Sequence, residues 1–164
     1  MKKALIVAGA VVACLVAALI VLRVVGLDPR ERRPGLWLTG EAVTAPVSDW
    51  AFTDTYPTIF VQTRSWYGLP HSVTVTCTAY DGHLYLTAVY PPGREFPRGR
   101  LWNKNVMRDP HVRLKIGAKV YAAALALVTD GPEKDAVLAA KAKKYPRLAG
   151  ADKNRVHVFR VEPA

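Results

Sequence analysis

The sequence predicts a mainly β domain of the α+β class, a small antiparallel barrel with two or three covering helices, preceded by one N-terminal transmembrane helix. Three observations carry that prediction. Short alternating stretches dominate after residue 36, and two pairs of them are joined by tight-turn residues. Helical stretches are few and do not alternate with strands throughout, as a doubly wound sheet would require. The first 25 residues hold one uninterrupted apolar run.

That run, Ala4 to Leu22, contains no charge or strongly polar group, and about twenty apolar residues suffice to cross a bilayer as a helix. A cleaved signal peptide is the alternative, but its apolar region is usually about 7–15 residues long. No clear small-x-small cleavage site follows. Residues 1–25 are therefore expected to form an uncleaved anchor. Lys2 and Lys3 on one flank nearly balance Arg23, Arg30, Arg32 and Arg33 on the other, so flanking charge leaves the orientation open. Residues 26–35, with Pro29, Pro34 and a knot of charges, read as a juxtamembrane linker, and residues 36–164 as the barrel domain.

Leu36 to Val43 is a strand candidate, and Pro46 to Asp54 an irregular stretch with Trp50 and Phe52. Thr58 to Arg64 is a strand by its β-branched and aromatic content. Ser72 to Tyr80 alternates strictly, with Val73, Val75, Cys77 and Ala79 on one face and hydroxyls on the other. Asp81-Gly82 signals a type I′ hairpin turn into His83–Val89. Three prolines between Tyr90 and Pro97 make a loop, Leu101 to Met107 a short helix stopped by Asp109-Pro110, and His111 and the residues after it a second hairpin turning at Gly117. Pro132 to Tyr145 reads as a helix capped by Asp130 or Gly131, with Pro132 in its first turn. Asn154 to Val161 closes the chain as a last strand.

The 164 residues carry a net charge of +10, which favours anionic partners in general. Eight cations crowd the stretch from Arg94 to Lys119, opposed only by Glu95 and Asp109. Such a concentration, where a helix meets a sheet, suits a phosphate-bearing ligand. Nucleic acid fits the charge but not the anchor, and the aromatics do not interleave with the cations as a stacking platform would. Neither nucleotide-binding glycine fingerprint occurs, and the four histidines have no i, i+4 pair. Ser72 lacks a nucleophile elbow. Cys14, in the anchor, and Cys77, in a strand, form no disulfide framework. Conventional side-chain catalysis is not signalled, whereas an organic cofactor needs only hydroxyls, cations and a flat apolar wall. Trp66 and Tyr67 could stack on a ring or plug a barrel end, and packing is the expectation for Trp102, near Val106 at i, i+4 spacing. Trp37 suits either the bilayer interface or the first strand.

The chain from Leu36 to Pro163 resembles the pyridoxamine 5′-phosphate oxidase-like superfamily, the flavin-binding split β-barrels. The resemblance rests on Gly68-Leu-Pro-His-Ser-Val-Thr-Val leading to Asp81-Gly-His-Leu-Tyr-Leu-Thr, on Trp102-Asn-Lys-Asn-Val-Met-Arg-Asp-Pro-His-Val-Arg-Leu-Lys-Ile, and on the long strand ending at Asp130. It implies a homodimer binding FMN or a deazaflavin at the subunit interface, with haem-binding and cofactor-free relatives as alternatives. It further implies that Ser72, Val73, Thr74 and Thr76 support the ring, and that Thr87, Tyr90, Arg94, Arg98, Arg100 and Lys104 surround the phosphate. The loop Pro91-Pro-Gly-Arg-Glu-Phe-Pro-Arg stands where many relatives carry a compact Ser-Arg-Lys cluster. The expected activity is hydride or electron transfer on a small or quinone-like substrate by a single-pass membrane protein with its barrel in the cytoplasm. The alternative is a non-catalytic barrel that has lost its cofactor and contacts anionic lipid or another phosphate ligand.

Overall fold

A computed structural model describes residues 2–148 and 150–164. Helix α1 (Lys2–Val25) is followed by β1 (Glu41–Val43), β2 (Ile59–Arg64), β3 (Pro70–Tyr80), β4 (His83–Val89), α2 (Leu101–Val106), β5 (His111–Ile116), β6 (Lys119–Val128), α3 (Pro132–Lys144) and β7 (Val156–Pro163). The stretch Ile6–Val25 of α1 is apolar and long enough to cross a membrane, and none of it is buried.

Strands β2 to β7 close an antiparallel barrel in the order β6-β5-β2-β3-β4-β7, with β7 returning to β6. The expected first strand shrinks to three residues that pair in parallel with β6 outside the ring. Both tight turns fold as the sequence requires. Asp81 and Gly82 take φ of 49° and 74°, two left-handed residues in succession, as a type I′ hairpin demands. Helix α3 starts at Pro132, and Gly131 rather than Asp130 stands at its N-cap. Asp130 instead accepts from the Lys134 ammonium at 2.7 Å.

Alternation divides the strands into two faces. Val73, Val75 and Cys77 of β3 lie opposite Val61, Ile59 and Leu86, and point into the barrel. Leu84, Leu114, Tyr121, Leu125, Phe159 and Val161 complete that interior. Helix α2 plugs one end, with Trp102 and Val106 in the core as their spacing suggests and the Trp102 ring 5.3 Å from that of Phe159. Helix α3 lies on the outside and packs Val137 against Tyr85, Val156 and Val158, a second, smaller core.

The ladder between β3 and β4 runs only from Tyr80–His83 to Thr76–Thr87. Beyond that rung the strands part. β3 stays with β2 down to the Arg64–Pro70 pair, while β4 stays with β7 to the Val89–Val156 pair. The barrel is therefore split between the first half of β3 and the end of β4.

The segment that follows α1 fills part of that split. Arg30 and Arg33 exchange main-chain hydrogen bonds of 3.1 and 2.8 Å across a tight turn, and Leu27 and Leu36 pair with Trp37 and Leu27. Gly35 then exchanges two bonds with Ser72, 2.9 and 3.1 Å, on the β3 edge that β4 has left. An ion pair from Lys115 to Asp28 ties the ribbon to β5. Residues 27–38, read from sequence as mostly linker, are thus a ribbon hydrogen-bonded to the sheet.

Candidate functional site

The split opens into a cleft of about 870 Å³, within the range of small-molecule sites. One wall is β3, through His71, Val73 and Thr74; the other is the end of β4 and its exit, through Val89, Tyr90 and Pro91. Arg100, Leu101 and Trp102 close it at the start of α2, and the ribbon turn Glu31–Pro34 lies across it. A second recess of about 520 Å³, beside Trp50, Tyr121 and Val161, contains no lysine or arginine.

Thr74 is the polar centre of the cleft. Along an antiparallel edge, alternate residues direct both main-chain groups outward. Ser72 pairs with Gly35 on this edge and Thr76 is in register with Thr87. Thr74 lies between them, so its N–H and C=O face the gap. Its buried side-chain hydroxyl also has no partner, a costly state unless something occupies the site.

Tyr90 and Arg100 form the opposite corner. The Tyr90 hydroxyl donates to Asn103 Oδ1 at 2.5 Å, and burial pushes its pKa up to about 12, the Arg100 charge opposing that rise. Arg100 donates through Nε and Nη2 to the Val89 carbonyl at 3.2 and 2.5 Å, with its guanidinium carbon 5.6 Å from the centre of the Tyr90 ring. Two of its five N–H groups are thereby committed, and the rest remain available. His71 lines the same wall, and burial holds its pKa below the ordinary 6.5.

Of the ten residues expected to hold a cofactor, the structure brings Val73, Thr74, Tyr90 and Arg100 into this cleft. The other six lie elsewhere, each for a physical reason. Ser72 is fully buried beneath the ribbon at Gly35. Thr76 and Thr87 face α3: their hydroxyls are 3.0 Å apart, and Lys141 of α3 donates to Thr87. Arg94 and Arg98 are exposed and outside the cleft lining, while Phe96 between them packs inward, stacked on His157 at 4.0 Å and edge-on to Tyr90 at 6.0 Å. Arg94 reaches only the Gly99 carbonyl, and Lys104 is exposed on α2.

The cation-rich stretch from Arg94 to Lys119 likewise disperses. Lys115 pairs with Asp28, Arg108 donates to the Arg64 carbonyl, and Arg113 lines a different recess. Sequence reasoning missed Arg32 and Arg33 as cleft residues, and His71 with them. The available signal was weak: a charged knot between Pro29 and Pro34 reads as solvated linker unless its pairing with β3 is known. Trp66 and Tyr67 are exposed at the β2–β3 turn, edge-on to each other at 5.4 Å, and do not line the cleft.

The architecture is that of an antiparallel split β-barrel with a cleft at the split. No protein-family model and no curated protein matches the sequence. Solved structures share the fold. One is a domain-swapped dimer, with TM-score 0.55 and 21% identity over 65% of this chain and 81% of that one. A Listeria innocua protein assigned as a pyridoxamine 5′-phosphate oxidase gives TM-score 0.51 and 21% identity, over 69% of this chain and 88% of its own. An F420-H2-dependent reductase gives 0.51 and 22%, over 65% and 95%. The chain therefore has the split-barrel fold of the pyridoxamine 5′-phosphate oxidase-like proteins.

Proposed function

We propose that this protein is a membrane-anchored oxidoreductase that binds a flavin-type cofactor, FMN or a deazaflavin, in the cleft between β3 and β4. The observation that carries the reading is Thr74, which lines the cleft with a buried, unpartnered hydroxyl and whose main-chain N–H and C=O, by strand alternation, face the same gap. A flat heterocycle with donors and acceptors along one edge matches that set. Val73, Val89, Leu101 and Trp102 offer it apolar surface, and Arg100 with the ribbon arginines offers positive charge for a phosphate. The fold shared with an F420-H2-dependent reductase and a pyridoxamine 5′-phosphate oxidase-type protein supports the same reading.

The residues fit the group, and their roles follow from their chemistry. Thr74 orients the ring edge, Arg100 holds the anionic end, and Tyr90 keeps Arg100 in place while its raised pKa leaves the phenol neutral. Bound there, a flavin or deazaflavin supplies hydride or electron transfer. The chain's own contribution is placement and field, so no acid–base pair is needed. His71, neutral at pH 7, adds a hydrogen-bonding group to the β3 wall without adding charge.

An anchor formed by α1 places the barrel at a bilayer surface, where an apolar, quinone-like substrate is concentrated. A cytosolic cofactor of this class favours a barrel on the cytoplasmic side. A homodimer is part of the proposal, supported by the domain-swapped dimer among the structures of this fold.

The test is the visible spectrum of the full-length protein extracted in detergent, followed by titration with FMN and with a deazaflavin. Saturable uptake of one of them, with Thr74→Val weakening it, is the expected result. A colourless protein indifferent to both cofactors would refute the reading and favour a barrel without redox function.

A further inference from the structure

We propose that the juxtamembrane ribbon is one half of an anion site: Arg32 and Arg33, together with Arg100, hold the phosphate of the cleft's ligand. This deepens the reading above and rests on a phosphate-bearing ligand entering the cleft. The loop between β4 and α2, where the resemblance implies the phosphate, leaves Arg94 and Arg98 exposed and outside the cleft.

Arg32, Arg33 and Arg100 are the cations of the cleft, against a single carboxylate, Glu31. The sum, three positive and one negative, leaves two positive charges, matching a phosphate monoester with about −1.5 to −2 charge at pH 7. Among the described residues neither Arg32 nor Arg33 makes a side-chain hydrogen bond or ion pair. Their guanidinium groups are uncommitted, unlike those of Arg108 or Arg160.

The segment that carries them is held in place. The Arg30–Arg33 turn, the Gly35–Ser72 pair and the Lys115–Asp28 ion pair fix it at the cleft wall. A tethered turn with two free arginines beside a third already oriented by Val89 costs little ordering when a dianion binds. Because Gly26 follows α1 directly and its N–H still bonds to Leu22, the anchor leads straight into the binding site. Removing the segment before Leu36 as if it were a spacer would remove two of the three arginines of the anion site.

The experiment titrates full-length protein in detergent with FMN and with riboflavin, which lacks the phosphate, at fixed ionic strength. Arg32→Ala/Arg33→Ala is expected to weaken FMN by about 10- to 100-fold, the loss of one or two charge-assisted hydrogen bonds, and to leave riboflavin unchanged. Arg32→Gln/Arg33→Gln, which keeps the turn polar, should behave the same. Arg94→Ala/Arg98→Ala should change FMN affinity less than about twofold, because rim charges outside a site contribute little.

Equal losses for FMN and riboflavin, or a loss confined to Arg94→Ala/Arg98→Ala, would overturn the proposal. If the wild-type protein binds neither flavin, the cofactor reading fails while the anion site is read with pyrophosphate by calorimetry. Binding of pyrophosphate that Arg32→Ala/Arg33→Ala abolishes then upholds the site, and absence of binding rejects it.

Discussion

Lys141 is 5% exposed, and among the described residues its ammonium has one acceptor, the neutral hydroxyl of Thr87. Among the described residues no carboxylate pairs with it. Burial alone lowers its pKa from 10.5 to about 8. At about 1.4 kcal/mol per pH unit, a fall from 10.5 to about 8 corresponds to about 3 kcal/mol of destabilisation by the buried charge. Replacing Lys141 with Met keeps a straight apolar stem and removes the charge. The lost hydrogen bond to Thr87 costs about 1 kcal/mol, and Thr87 still pairs with Thr76 at 3.0 Å. The net expectation is a gain of about 2 kcal/mol at pH 7.

The pH dependence has a definite sign. Below about pH 8 both the folded and the unfolded chain carry the proton, and the penalty is complete. Between about 8 and 10.5 the folded chain has released the proton while the unfolded chain retains it, so stability rises with pH. Lys141→Met lacks that rise, and the titration of Cys77 and the tyrosines is common to both proteins and cancels in the difference. Urea midpoints at pH 7 and 9.5, followed by tryptophan fluorescence, measure it. A Met variant less stable than wild type at pH 7, or parallel stability curves across that window, would refute the argument.

Two further substitutions test the site. Tyr90→Phe leaves Asn103 Oδ1 without its 2.5 Å donor, beside an Asn103 Nδ2 already unpartnered. A loss of about 1–3 kcal/mol is expected by denaturant titration, and an unchanged midpoint would show that the hydrogen bond contributes nothing. Gly35→Ala places a methyl group 2.6 Å from Ser72 Oγ and 2.7 Å from the Pro29 nitrogen, too close for either to remain. Faster amide exchange at Gly35, Leu36 and Ser72 is expected, with FMN losing more affinity than riboflavin. Unaltered exchange at those amides would mean that the ribbon tolerates the methyl group.

Most strand boundaries were legible because β3 and the Asp81-Gly82 turn obey local rules: strict alternation, and two residues that accept positive φ. The cleft lining was legible only where a residue's place is set by its own strand, as for Val73 and Thr74. Thr76 and Thr87 lie outside the cleft, under α3; a hydroxyl stripe reads as wet until the position of α3 is known. The warning lay in β4, where Leu84 to Ala88 is apolar at every position but Thr87, and all five are buried, so neither face of that strand is free. The outward turn of Arg94 and Arg98 depends on Phe96 finding His157, sixty-one positions later in sequence (157 − 96). No local pattern encodes such a contact.

The split has a structural reason for being where it is. A closed barrel satisfies every strand edge, and opening it exposes main-chain groups that invite unwanted pairing. Here the ribbon caps the exposed edge of β3 at Ser72, and the β3–β4 ladder resumes at Thr76. Only the intervening residue, Thr74, is left to face the opening. The same ribbon that limits the opening to one residue also delivers Arg32 and Arg33 to its margin. One segment therefore both covers the β3 edge and brings Arg32 and Arg33 to the cleft. A variant that frees the ribbon should lose ligand affinity and expose the β3 edge together, and a variant that loses one without the other would separate the two roles.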